Sequence, residues 1–237
     1  MSKIVRHAFA ALLVLAPPAA AQSGPAPAHH PLVTRRDALV SLALIAGAAA
    51  LDRTVRDEAQ AGRNPTRNDI ASVGNAFGNP VYVAPVLAAG WAAGKLAHSE
   101  AVSQAAYRAV LSGALAGTIS AAIKIAVGRA RPFQGGDPSQ FRAFSRLDAS
   151  FPSGHTTFAM AIASSLAHSI KPHWPAVLLY GATAVTGFAR INDDKHWLSD
   201  VAAGAVIGYL VGRDVTDRLR RVRPIVGPGT AGLTVRF

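Results

Sequence analysis

The 237-residue chain contains no cysteine, which excludes disulfides, thiolate metal sites and a cysteine nucleophile. Aromatic residues make up only 7% of the chain, and the arginines are not interleaved with aromatic side chains that stack on bases. The β-branched residues form no alternating runs, which are typical of strands. These absences argue against a nucleic-acid-binding module and against a fold built mainly from sheets.

Alanine and positive charge are abundant. Half of the residues are hydrophobic and alanine dominates them, so the composition indicates helices that pack closely. The formal net charge is +11, from 24 Lys and Arg against 13 Asp and Glu. Such an excess favours anionic partners, and phosphate groups or lipid headgroups fit better than nucleic acid.

The amino terminus has the pattern of a secretory signal over residues 1–21. Lys3 and Arg6 precede an apolar run at 8–16, and three alanines at 19–21 form a small-residue cleavage site. An uncleaved anchor helix is the alternative. Residues 22–36 are rich in Pro, Ala and His and are predicted to be a flexible spacer. The pattern places the protein in the bacterial cell envelope. We expect a membrane protein with its active site facing the periplasm, and a soluble periplasmic protein is the alternative.

Six apolar stretches follow the spacer, each too long for an ordinary strand. They predict an all-α fold with a six-helix bundle core, in a domain over 37–223 followed by a tail at 224–237. Residues 52–79 and 133–151 are predicted to be loops, and Leu233–Phe237 a short strand. The six stretches lie near 38–51, 80–94, 109–127, 156–170, 174–189 and 201–212.

Two relations to the membrane fit these helices. A span needs about 20 apolar residues, and several stretches are shorter. The protein is either a bundle of six short, tilted spans or a compact helical domain on or near a membrane. In a six-span protein, the basic residues Arg35 and Arg36 would lie on the cytoplasmic side. A cleaved signal would instead place residue 22 outside and invert this topology, so the two predictions conflict.

The first polar cluster is Lys124 with Arg131-Pro132, at the end of the third stretch. The two cations are seven residues apart, so on a continuous helix they share a face and form an anion clamp. Arg129 lies off that face and is left out. Taken alone, such a cluster is more often a solvated helix end.

The second cluster is Pro152-Ser153-Gly154-His155, at the start of the fourth helix. Ser153 suits an N-cap, Gly154 lets backbone approach a ligand, and free N–H groups in a first helical turn bind phosphate. His155 would then stand beside the anion. A plain helix start with a solvent-facing histidine explains the tetrapeptide equally well.

The third cluster is Arg190, His196 and Asp200. His196 and Asp200 are four residues apart and share a face if residues 196–212 are helical. The carboxylate can then fix the tautomer of the imidazole and leave its other nitrogen free to attack. A surface His–Asp pair is the alternative for this cluster alone. Together, the three clusters supply three cations, a serine and a glycine at a helix start, two histidines and one orienting aspartate. Phosphoryl transfer through a phosphohistidine requires such a set.

The order of the three motifs, KIAVGRARP at 124–132, PSGH at 152–155 and ARINDDKHWLSD at 189–200, resembles the type 2 phosphatidic acid phosphatase and vanadium haloperoxidase superfamily. The short intervals between the motifs are similar to those of its phosphatase branch. The family often has Ser before the third-motif arginine, where this chain has Ala189.

The resemblance implies a role for each motif residue and no cofactor or metal. His196 is implied as the nucleophile, Asp200 as its orienting partner, and His155 as the acid and then the base. The phosphate would be held by five residues: Lys124, Arg131, Ser153, Gly154 and Arg190.

Three functions follow as alternatives. A phosphatase acting on a lipid phosphate, or on a small phosphomonoester, is the main expectation. A vanadate-dependent haloperoxidase shares the motifs, and a non-catalytic membrane protein would use the same cations to bind anionic lipid. Candidate substrates are phosphatidic acid, phosphatidylglycerol phosphate, undecaprenyl pyrophosphate and a lipid A phosphate.

Overall fold

A computed structural model describes residues 33–144, 148–171, 174–227 and 230–235. The predicted signal segment 1–21 and residues 22–32 of the predicted spacer lie outside the described residues.

Helices dominate the described part of the chain. They are α1 (Arg35–Ala50), α2 (Asp52–Ala61), α3 (Pro65–Phe77), α4 (Pro80–Leu96), α5 (Glu100–Val127), α6 (Gly154–Ser169), α7 (Pro175–Asn192) and α8 (Leu198–Arg221). A 3-10 turn at Pro132–Gln134 lies between α5 and α6. The all-α prediction is confirmed, because α1 and α4 to α8 coincide with the six predicted stretches.

The prediction of a loop over 52–79 is wrong, because this segment forms α2 and α3. Asn64 accepts a hydrogen bond from the N–H of Arg67 and Pro65 is the first residue of α3. The same arrangement recurs at the start of α4, where the side chain of Asn79 accepts from the N–H of Val81. Each Asn-Pro pair therefore begins a helix, as an N-cap followed by proline at the first helical position.

The core is centred on α6, where every residue from Thr156 to Ser165 is buried. Helices α5, α7 and α8 all pack around it, while α3 packs on α7, α4 on α5 and α1 on α8. A helix buried on all sides needs no amphipathic pattern, which explains its small and apolar sequence.

Helix α8 approaches α6 closely through glycines at four-residue intervals. A methyl group at Gly204, Gly208 or Gly212 would clash with a backbone carbonyl oxygen of α6 or of Ser153 just before it. This contact brings the start of α8 against the start of α6, which fixes the relative position of the second and third motifs.

The chain ends in an antiparallel hairpin of β1 (Val222–Gly227) and β2 (Thr230–Val235). The strand predicted at Leu233–Phe237 overlaps β2, and residues 236–237 lie outside the described range.

By length and composition, α5 alone among the described helices could cross a membrane, with a mean hydropathy of 1.8 over its best window. Helices α1 and α2 together would meet the same test as one span bent by 53°.

Candidate active site

The three predicted clusters meet at one end of the bundle. The end of α5 is tied to the segment before α6, because Nζ of Lys124 donates to the carbonyl of Ala149 at 2.8 Å. The segment before α6 is tied to α8 by a hydrogen bond from the N–H of Ser153 to the carbonyl of Asp200, at 3.0 Å. The end of α7 is tied to the segment before α8, where the N–H of His196 donates to the carbonyl of Arg190.

Lys124 and Arg131 do not share a helix face, which corrects the sequence prediction. Helix α5 ends at Val127, and Gly128 follows with φ of 62°, a left-handed conformation that favours glycine. Arg131 lies beyond this turn in extended backbone, with φ −80° and ψ 151°. Both cations reach the site because the chain turns back after α5.

Arg131 connects the loop before α6 with the loop before α8. Its NH1 donates to the carbonyl of Lys195 at 3.2 Å and lies 3.5 Å from Nε2 of His196. Its NH2 forms an ion pair at 2.7 Å with Asp148, whose side chain is 67% exposed. A guanidinium so close to an imidazole nitrogen can hold an anion that the imidazole attacks.

Ser153 occupies the N-cap of α6, as predicted, although its hydroxyl does not cap the helix. Its Oγ lies 2.9 Å from Oγ1 of Thr156. The first helical bond runs from the N–H of Thr157 to the carbonyl of Ser153, so the N–H groups of residues 154–156 precede it. A Cβ built on Gly154 would lie 3.7 Å from Cε of Lys124, so the lysine lies alongside this first turn.

His196 and Asp200 are adjacent, but not because both lie on a helix, which corrects the sequence argument. Helix α8 begins at Leu198, so His196 lies in the preceding loop and Asp200 in the first turn. Nδ1 of His196 is 3.5 Å from Oδ2 of Asp200, too long for a formed hydrogen bond. Such bonds commonly shorten when substrate binds. Both residues are buried, with 3% and 0% exposed.

Arg190 lies in the last turn of α7, as predicted, and is held by α3. Its NH1 donates to Oδ1 of Asn75 at 2.6 Å, and Nδ2 of Asn75 donates to Asp193 at 2.8 Å. Nε of Arg190 is buried and has no hydrogen-bond partner among the described residues. An anion in the site would satisfy this donor.

Burial and the surrounding cations keep both imidazoles neutral at pH 7. Burial, together with Lys124 and Arg131, lowers the pKa of His196 to about 3 despite the attraction of Asp200. Burial, followed by Arg190, Lys124 and Arg131, lowers the pKa of His155 to about 4. Lys124 and Arg131 therefore act on both histidines, and Arg190 acts on His155 and on Lys124, which places all five side chains in one electrostatic site.

Sequence reasoning missed three buried residues at this site. Arg129 forms ion pairs with Asp52 at 2.7 Å and Asp200 at 2.6 Å. Ser120, one turn before Lys124, has a buried hydroxyl without a partner among the described residues, and it lies near Gly154. The one-turn spacing to Lys124 was a usable signal for Ser120, whereas Asp52 had none because its helix was not predicted.

The described residues contain no group of three or more His, Cys, Asp or Glu side chains arranged to hold a metal. The donors that converge here are cations and N–H groups, a set that binds an anion.

Comparison with known proteins gives a family match over residues 105–220, to the PAP2 superfamily. This segment contains every residue of the three motifs. Curated relatives include the lipid A 1-phosphatase of Porphyromonas gingivalis, 43% identical over 65 residues, and undecaprenyl-diphosphatase BcrC of Bacillus subtilis, 42% identical over 66. An acid phosphatase of Zymomonas mobilis is 41% identical over 58 residues.

These matches cover 27%, 27% and 24% of this chain, and 15%, 33% and 21% of the respective relatives. The chain thus matches at most a third of each curated relative.

Two solved structures share the fold. One is a transmembrane PAP2-type phosphatidylglycerolphosphate phosphatase from Bacillus subtilis, with TM-score 0.61 and 19% identity, covering 79% of this chain and 96% of that one. The other is Aquifex aeolicus LpxE, with TM-score 0.51 and 22% identity, covering 70% and 95%.

Proposed function

We propose that this chain, whose residues 105–220 belong to the PAP2 superfamily, is a phosphatase that hydrolyses a phosphomonoester or pyrophosphate on a lipid through a phosphohistidine at His196. The observation that carries the proposal is the convergence of Lys124, Arg131 and Arg190 around two neutral imidazoles, one of them backed by a buried carboxylate.

The first half-reaction uses the neutral state of His196. Nε2 faces Arg131, so a phosphoryl group held by that arginine would lie in front of the nitrogen lone pair. Binding of the phosphate beside His155 raises the pKa of that imidazole, so His155 takes up a proton. Nε2 of His196 then attacks phosphorus, the bond from phosphorus to the leaving oxygen breaks, and His155 gives that oxygen the proton. Asp200 stabilises the positive charge that the substituted imidazole acquires.

The second half-reaction restores the enzyme. His155, now neutral, takes a proton from a water molecule whose oxygen attacks phosphorus. The bond from phosphorus to Nε2 breaks and orthophosphate leaves. Charge on the phosphoryl oxygens is spread in both transition states, and the cations with the N–H groups at the start of α6 would stabilise it. No step requires a metal ion.

A lipid substrate is supported by apolar side chains on the outer helices. Six aliphatic residues, two on each of α1, α4 and α7, are between 65% and 73% exposed. Exposed apolar side chains on several outer helices fit contact with a membrane or with another protein. The residues are Leu39, Leu42, Val81, Val86, Val177 and Leu178. The polar headgroup would meet the site at one end of the bundle while the acyl chains stay beside these helices.

A periplasmic orientation of a spanning bundle is supported by basic residues at the end opposite the active site, because an excess of Arg is typical of the cytoplasmic side, and labelling can test it. These residues are Arg35, Arg36, Arg213, Arg218 and Arg220. The chain has no cysteine, so Gln140→Cys at the active-site end and Arg218→Cys near the far end of α8 are unique thiols. In intact cells, an impermeant maleimide should label the first variant, and labelling of the second only after lysis would indicate a bundle that crosses the membrane. Labelling of both would indicate a domain on the periplasmic surface. Labelling of Arg218→Cys alone would contradict the proposed orientation.

The proposed activity is tested by phosphate release from purified protein in detergent with a chelator present. The substrates are a chromogenic monoester, phosphatidic acid, phosphatidylglycerol phosphate, undecaprenyl pyrophosphate and a lipid A phosphate. We expect chelator-resistant release that is lost in His196→Ala and kept in the control His168→Ala at the far end of α6. Release that requires added metal, or that survives in His196→Ala, would overturn the proposal.

A further inference from the structure

Arg129 lies behind the site and donates hydrogen bonds from Nε, NH1 and NH2, and the three motifs assign it no role. It is 4% exposed and its Nε donates to the carbonyl of Pro138 at 2.8 Å. Its NH1 donates to Oδ1 of Asp200 at 2.6 Å and to Oγ of Ser199 at 2.7 Å. Its NH2 donates to Oδ2 of Asp52 at 2.7 Å. One guanidinium thus joins α2, α8 and the segment after α5.

Asp52, the first residue of α2, completes the cluster from the other side. It is 1% exposed, and its Oδ1 accepts a hydrogen bond from the N–H of Ser199 at 2.8 Å. Its Oδ2 accepts from the hydroxyl of Ser199 at 2.7 Å, in addition to the bond from Arg129. The carboxylate therefore fixes the residue next to Asp200 through both backbone and side chain.

Asp200 consequently has both carboxylate oxygens held from behind. Oδ1 accepts from Arg129, and Oδ2 accepts from the N–H of Trp197 at 2.9 Å. Oδ2 is also the oxygen that faces Nδ1 of His196. The position of this oxygen relative to the imidazole depends on the Arg129 bond, because the backbone bond alone leaves the carboxylate free to turn.

We propose that Arg129 and Asp52 are positioning residues for the reaction, which hold Asp200 in the orientation that directs Nε2 of His196 at phosphorus. This inference rests on the proposed function, and it extends the site to a helix outside the matched segment 105–220.

Charge explains why the cluster needs both residues. Arg129 alone would neutralise Asp200 and weaken its effect on an imidazole that becomes positive during the reaction. With Asp52 present, the three buried groups carry a net charge of −1. Asp200 can therefore still stabilise positive charge on His196 while Arg129 fixes the orientation of the Asp200 carboxylate. A buried charge left without its partner is strongly unfavourable, so neither residue can be replaced alone without effect.

Arg129→Lys and Asp52→Asn are the test variants, because the first keeps the charge and the second the shape. A lysine has one nitrogen and no planar fork, so it cannot reach Asp52, Asp200 and Pro138 together. We expect kcat to fall roughly 10- to 100-fold in each variant, as is typical for residues that orient a reacting side chain. KM and inhibition by orthophosphate should change less than about threefold, because the phosphate-binding cations are untouched.

Two measurements separate positioning from a merely structural role. In an Asp200→Asn background, Arg129→Lys should cause no further loss of kcat, because both changes break the same unit. In protein with 15N-labelled histidine, the fraction of His196 protonated at Nδ1 should fall in both single variants. The matched control is Arg213→Lys, which alters the ion pair with Asp37 between α8 and α1, and kcat should stay at the wild-type value.

Several results would overturn the proposal. One is a kcat near wild type in both variants, and another is a kcat loss in the double variant equal to the product of the losses caused by Arg129→Lys and Asp200→Asn alone. The others are an unchanged His196 tautomer and loss of folding in both variants. A wild-type protein that releases no phosphate would instead refute the proposed function. The tautomer measurement would still test the cluster in that case, because it needs no turnover.

Discussion

Burial of a neutral His196 makes the folded protein sensitive to acid in a way that a single substitution should remove. The pKa of His196 falls from 6.5 to about 3 because the ring is buried and two cations lie nearby. Below pH 6.5 the unfolded chain binds a proton at this position and the folded chain does not. The contribution of His196 to the free energy of unfolding is therefore fully present above pH 6.5. It is lost as the pH falls toward the folded-state pKa of about 3.

The size of the effect follows from the pKa difference. Each pH unit below 6.5 lowers the free energy of unfolding by about 1.4 kcal/mol. At pH 4.5, two units lower, the loss is on the order of 3 kcal/mol. His196→Asn keeps a polar side chain of similar shape that does not titrate in this window. We expect the loss of unfolding free energy between pH 7 and pH 4.5 to be about 3 kcal/mol smaller in this variant than in wild type.

Urea unfolding in mild detergent at both pH values, followed by tryptophan fluorescence, measures this difference. The comparison is between pH dependences, so a uniform change of stability caused by the substitution cancels. Thr183→Val, a buried change that involves no titrating group, is the control and should keep the wild-type pH dependence. Equal losses of unfolding free energy in wild type and His196→Asn between the two pH values would contradict the burial of a neutral His196.

Two further predictions concern the second histidine and the helix contact that carries the site. Burial, followed by three nearby cations, lowers the pKa of His155 to about 4. A bound phosphate or vanadate should offset the cations and raise this pKa, so binding near pH 6 should take up protons. Calorimetry in buffers of different ionisation enthalpy measures this uptake, and none in wild type would contradict the assignment. Gly208→Val should destabilise the protein by about 1–3 kcal/mol or more, because the side chain meets the carbonyl of Thr157. Gly117→Ala in α5, where the structure leaves open space, should stabilise it by roughly 0.5–1 kcal/mol in thermal unfolding, and equal effects of the two changes would be inconsistent with the packing.

The sequence predicted the apolar helices correctly, and the prediction failed for the polar helices. Helices α5, α6 and α7 follow from apolar runs bounded by Gly, Pro and Asn. Helix α2, with the sequence DRTVRDEAQA, has no such run and buries only Asp52, Val55 and Ala59 among the described side chains. Its apolar stripe is too narrow to stand out from a loop. Helix α3 was predictable from Asn64-Pro65, which can start a helix as well as break one.

The residues of the site were predictable from motif order, but their geometry was not. A helix continued from Lys124 to Arg131 gives a shared face, whereas the chain leaves the helix at Gly128 and reaches the same place by a turn. The assumption that the helix continues also placed Arg129 away from the site. Arg129 follows the end of the helix, so its position cannot be derived from helical spacing. Asp52 lies 148 residues before Asp200 in sequence, and no local pattern connects positions so far apart.

The central claim is that phosphate passes through His196, and trapping the phosphorylated protein tests it most directly. His155→Ala removes the group that activates water, so a monoester with a good leaving group should phosphorylate the enzyme faster than water releases it. Rapid quenching in alkali, digestion and mass spectrometry should find one phosphate on the peptide with His196, stable to alkali and labile to acid. The double variant His155→Ala with His196→Ala should carry none. Phosphate on another residue, or hydrolysis by His155→Ala without any phosphorylated protein, would contradict the mechanism.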